Sequence, residues 1–122
     1  MEIGLLGKQT LCVEGDHTAA NVGSGSLEVF ATPAMIALME KTCMFSVAPF
    51  LEQGTSTVGT LVNVKHISAT ALGDTVRCES ELIEIDRKRL VFSVRAYDSK
   101  GLIGEGTHER FIINIEKFMQ KL

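Results

Sequence analysis

The chain has 122 residues, of which 45% are hydrophobic and 22% charged, and a formal charge of −3 at neutral pH. That length suits one domain, residues 1–122, with one core and no room for a separate cofactor domain. The acidic balance argues against a nucleic-acid partner, which would require a basic surface, and no apolar run approaches membrane-spanning length. Cys12, Cys43 and Cys78 are odd in number and form no CxxC pair. Neither a disulfide framework nor a zinc site is indicated, and a reducing cytoplasm is the expected setting. Met1 to Lys8 does not read as a signal peptide.

Thr10 to Glu14 is a short strand candidate, followed by a polar, Gly-rich passage from Gly15 to Ser26 that reads as loop or lid. Thr32 precedes Pro33, and a Thr cap followed by a proline that has no N–H to leave unsatisfied is a strong helix start. From Ala34 to Met39 every residue is apolar, and Cys43, Met44, Phe45 and Val47 continue the pattern. Such a helix is expected to be buried all round, ending near Pro49.

The remainder reads as strands: Thr57 to Ala69, Thr75 to Ile85, Arg89 to Tyr97 and Leu102 to Phe118, all rich in Val, Ile, Thr and Phe. Gly73-Asp74, Asp86-Arg87-Lys88 and Asp98 to Gly101 separate them. Connections this short require antiparallel neighbours. One apolar helix before a long antiparallel sheet predicts an α+β fold of the hotdog type, with the sheet curled around the helix. Apolar helix surface left uncovered by one sheet predicts a homodimer.

Several residues do not fit a pure core. Glu40 interrupts the apolar helix, so it either marks a solvent-facing stripe or is a paired group that serves as, or orients, a general base. His66 shares a strand face with Val58, Val62 and Val64, pointing toward the core, and its near-neutral pKa suits acid–base work. A structural histidine held by one hydrogen bond is the alternative. Thr32 is explained as a cap, yet a hydroxyl beside helix N–H groups is also placed to meet a polarised carbonyl.

Thr32 and Glu40 lie about 12 Å apart along the helix, so they cooperate only through a bridging imidazole or across two subunits. In Gly104 to Arg110, the glycines predict a bulge or a close approach to a ligand. His108 and Arg110 share a face there, and Arg110 suits a carboxylate, either a substrate's or that of Glu40. Arg87-Lys88-Arg89 is a basic turn that is either solvated or meets phosphates, and His17 is expected to be exposed.

Val29 to Thr32, Leu38 to Glu40, Val64 to His66, Gly106 to Arg110 and Glu116 to Phe118 together resemble the fluoroacetyl-CoA thioesterase family of the hotdog superfamily. The resemblance implies a dimeric acyl-CoA thioester hydrolase with Thr32, Glu40 and His66 as its catalytic set and no metal or cofactor beyond the coenzyme A of its substrate. It also implies an acyl-binding role for Gly59, and Phe30, Pro33, His108 and Arg110 are expected to border the substrate with it. Where the fluoroacetyl-specific enzyme has a Phe- and Pro-containing lid, this chain reads Gly23 to Glu28, which points to a different small acyl group. The rival readings are a non-catalytic acyl-CoA binding module and a hotdog dehydratase or hydratase. The Asp–His pairing usual in the latter is not evident, because Asp74, Asp86 and Asp98 fall in turns.

Overall fold

A computed structural model describes residues 1–122. The strands are β1 (Leu6–Cys12), β2 (Thr55–His66), β3 (Thr75–Asp86), β4 (Arg89–Asp98) and β5 (Gly101–Asn114). The helices are α1 (Ala19–Val22), α2 (Thr32–Val47) and α3 (Ile115–Gln120). The strands form one antiparallel sheet in the order β1-β3-β4-β5-β2, which leaves β1 and β2 as its edges.

Helix α2 lies across one face of this sheet. Met35, Leu38, Met39, Cys43 and Val47 of the helix pack with Val76, Cys78 and Leu82 of β3 and with Leu90, Phe92, Val94 and Ala96 of β4 in a single core. The opposite sheet face is charged. Lys8, Glu79, Arg95, Glu105 and Lys65 are paired in register across all five strands, so the sign alternates from edge to edge. Opposite charges facing one another across strands suit a solvated surface, and the apolar side of each strand therefore turns to α2.

The structure corrects several expectations. β1 begins at Leu6 rather than Thr10, paired with β3 from Leu6↔Glu81 onward. The Gly15 to Ser26 passage is folded: a 3-10 turn at Gly15–His17 leads into α1, which Thr18 caps by accepting the Asn21 N–H and Gly23 closes at φ 89°. His17 is half-buried, and its Nδ1 accepts the Glu14 N–H at 3.0 Å. At the chain's end Asn114 accepts the Lys117 N–H, and the expected last strand turns into α3 at Ile115.

Two further corrections bear on the site. α2 is not buried all round, because Pro33, Ala37, Lys41 and Phe45 form an exposed stripe along it. A β-bulge between Gly59 and Leu61 also breaks the alternation of β2. It moves Val58 to the face opposite His66 and brings Gly59 onto the same face as Val62, Val64 and His66, opposite Arg110 of β5.

Candidate active site

Thr32 does not cap α2. It is the helix's first residue, Ala31 occupies the cap without a side-chain hydrogen bond, and the Thr32 hydroxyl is left for another partner. That partner is His66, whose Nδ1 lies 2.7 Å from Thr32 Oγ1. The contact forms where the last residue of β2 faces the first turn of α2, while Phe30, 1% exposed, sets its ring edge-on to the imidazole at 6.4 Å.

His66 Nε2 is buried without a hydrogen-bond partner. Burial holds the imidazole below its ordinary value of 6.5, and the Ser68 backbone, although it makes no hydrogen bond of good geometry, opposes that shift. Pro33 has no N–H, and those of Thr32 and Ala34 have no acceptor within the helix, so they suit a developing negative charge. An open groove of about 300 Å³ runs past this point, lined by Ser24, Val29, Phe30, Thr32, His66 and Ile67 among others.

Glu40 belongs to a separate group midway along α2. Its Oε2 lies 3.6 Å from Arg110 Nη1 and 4.0 Å from His108 Nε2, with the Glu40 side chain 40% exposed and those of Arg110 and His108 almost fully buried. Arg110 is fixed by Thr57: Nε donates to the Thr57 hydroxyl at 2.8 Å and Nη2 to the Thr57 carbonyl at 3.0 Å. Gly59 permits the arrangement, since a Cβ there would stand 2.6 Å from Glu40 Oε2. Burial lowers the pKa of both His108 and Arg110, and the Glu40 charge opposes the shift in each.

The sequence-predicted residues thus fall into two sets. Thr32, His66, Phe30 and Pro33 gather at the start of α2, while Glu40, Gly59, His108 and Arg110 gather at its middle. Of the two carboxylates considered for Arg110, it faces Glu40. The bridge from Thr32 through His66 to Glu40 does not form within the chain, because β2 carries Gly59 and His66 roughly 20 Å apart. Of the two readings of the β5 glycines, a bulge is present at Ile103 beside Gly104, and the close approach is by protein: a Cβ at Gly104 would meet Met35 Sδ at 2.6 Å, and one at Gly106 would meet the Asn63 carbonyl.

Thr57 and the Leu61 carbonyl also support the site, and both act through backbone carbonyls that no side-chain pattern reveals, Thr57 through its hydroxyl as well. No group of three or more His, Cys, Asp or Glu is placed to hold a metal.

A family model described as fluoroacetyl-CoA-specific thioesterase matches residues 13–116. The chain belongs to this thioesterase family. It is 45% identical over 95 residues to the fluoroacetyl-CoA thioesterase of Streptantibioticus cattleyicolor, covering 78% of this chain and 68% of that protein. A variant of the fluoroacetyl-CoA-specific thioesterase, solved with fluoroacetate and CoA, matches at TM-score 0.92 and 37% identity, over 97% of this chain and 99% of that one. A thioesterase superfamily member from Thermus thermophilus matches at TM-score 0.91 and 27% identity, over 98% of this chain and 89% of that one. The fold is accordingly the hotdog fold expected for this family.

Proposed function

We propose that the chain hydrolyses a small acyl-CoA thioester to the free acid and coenzyme A, with Thr32 and His66 at the reacting carbon. The 2.7 Å contact between Thr32 Oγ1 and His66 Nδ1, at a helix N-terminus opening on a groove, carries this reading. The thioester carbonyl docks against the first turn of α2, whose free N–H groups stabilise the oxyanion. Neutral His66 takes a proton from Thr32 or from a water beside it, and returns it to the departing thiolate.

Glu40 completes the set from a second subunit. Three observations support a homodimer: the distance between Glu40 and His66 within one chain, the exposed α2 stripe from Pro33 to Phe45, and an unpaired β2 edge at which Leu61 and Val62 are 44% and 40% exposed. A two-fold pairing along β2 covers both surfaces at once. Glu40 then charges the imidazole or activates water, Arg110 holds that carboxylate, and Phe30, Pro33 and Gly59 border the acyl group.

No aromatic residue stands in Gly23 to Glu28, all of it exposed, so the groove mouth lacks an aromatic gate. This favours a small acyl group other than fluoroacetyl. The reaction uses no metal or cofactor beyond the coenzyme A of the substrate, and three free thiols suit a reducing cytoplasm. Free thiol release from a panel of acyl-CoA esters tests the reading. Turnover of short-chain esters, with fluoroacetyl-CoA not preferred over acetyl-CoA, is expected. No release from any ester by a folded protein would leave only a binding module.

A further inference from the structure

His108 is 1% exposed, too enclosed to meet a substrate, yet both of its ring nitrogens are engaged. Nδ1 lies 2.7 Å from the Leu61 carbonyl, just past the β2 bulge, and Nε2 lies 3.1 Å from Arg110 Nη1. A carbonyl only accepts and a guanidinium only donates. The ring is therefore neutral, with its hydrogen on Nδ1 pointing at Leu61 and a bare Nε2 receiving Arg110. Phe92 stacks on the ring at 6.4 Å and holds its plane.

We infer that His108 is a positioning residue: its Nδ1–H tautomer fixes the Arg110 guanidinium, and through it the Glu40 carboxylate, relative to the β2 bulge. The inference deepens the proposed function and rests on Glu40 taking part in hydrolysis. Thr57 secures Nε and Nη2 of Arg110, and His108 takes one hydrogen of Nη1. The other Nη1 hydrogen is left for Glu40, 3.6 Å away. With a proton on Nε2, two donors would face each other and the guanidinium would turn out of place. The same ring binds the residue after the bulge that sets Gly59 beneath Glu40, so one imidazole fixes the charge, its partner strand and the space between them.

The test compares His108→Asn, which retains only the donor to Leu61, with His108→Gln, which restores an acceptor to Arg110. The Arg110 guanidinium proton resonances read the positioning without any turnover. Separate, slowly rotating Nη1 and Nη2 signals are expected in the unmodified protein and in His108→Gln, and averaged signals in His108→Asn. In acyl-CoA hydrolysis, kcat of His108→Asn is expected to fall about tenfold or more with KM little changed, and His108→Gln to recover part of it. Added to Glu40→Gln, His108→Asn should cause no further loss, since both act through one carboxylate.

Unchanged Arg110 signals in His108→Asn, or losses that multiply with Glu40→Gln, would overturn the inference. Absence of turnover in the unmodified protein would count against the thioesterase reading alone, and the Arg110 signals would still decide the positioning role.

Discussion

The two ends of the candidate site differ in how well their polar groups are partnered. At the start of α2, Thr32 is exposed, His66 Nε2 has no partner and the first-turn N–H groups face a groove. At its middle, Arg110 is bonded through Nε, Nη1 and Nη2, and both nitrogens of His108 are engaged. A buried polar group without a partner is costly and is retained where it has a task, whereas a bonded network holds geometry. The contrast supports the proposal that the first region reacts and the second orients.

Changes in the reacting region are expected to cost turnover and spare the fold. The largest effect belongs to His66→Ala, which should lower kcat/KM about a thousandfold while the melting temperature moves only slightly, since one bond to an exposed threonine is lost. Full activity in that variant would remove His66 from the chemistry. Thr32→Val should cost about a hundredfold, and Thr32→Ser, which keeps the oxygen, much less. Equal losses in both would mean that the methyl group rather than the hydroxyl matters.

The orienting region should respond the other way. Arg110→Met leaves the Thr57 carbonyl and His108 Nε2 without their donor inside the protein, so urea denaturation should show a loss of about 2 kcal/mol. Undiminished stability would contradict a structural network there. The smallest effect is that of pH. Burial holds both His66 and His108 below 6.5, so each refuses in the folded state a proton that the unfolded chain accepts. Stability should therefore begin to decline as pH falls past 6.5, and kcat/KM should fall along an acid limb centred at a lower pH, as His66 itself takes a proton. An acid limb centred above 6.5 would exclude this base.

Much of the fold was legible because it follows from period and punctuation. Pro33 and the apolar run after it marked α2, and the Asp- and Gly-containing turns marked the β3–β4 and β4–β5 hairpins. What escaped depends on tertiary contact. Thr32 has the chemistry of a cap, but the imidazole across the groove takes its hydroxyl, so capping preference alone misplaced the helix start by one residue. The bulge in β2 was signalled only by the lone Gly59, and its place in the ladder, which no residue type fixes, decides that Gly59 rather than Val58 lies with His66. The exposed stripe of α2 reads as apolar in sequence because Ala37 and Phe45 are apolar yet lie outside this chain's own core.

The separation of Thr32–His66 from Glu40 within one chain makes subunit mixing the most direct measurement. Thr32→Val and Glu40→Gln, each nearly inactive alone, are to be combined under conditions of proven subunit exchange, and thiol release from an acyl-CoA followed. If one chain's pair works with its partner's carboxylate, half of the dimers carry one intact site of two, and activity should return to roughly a quarter of the unmodified level. If activity stays at the sum of the two variants despite exchange, Glu40 does not act across the interface, and the account of a site divided between subunits is wrong.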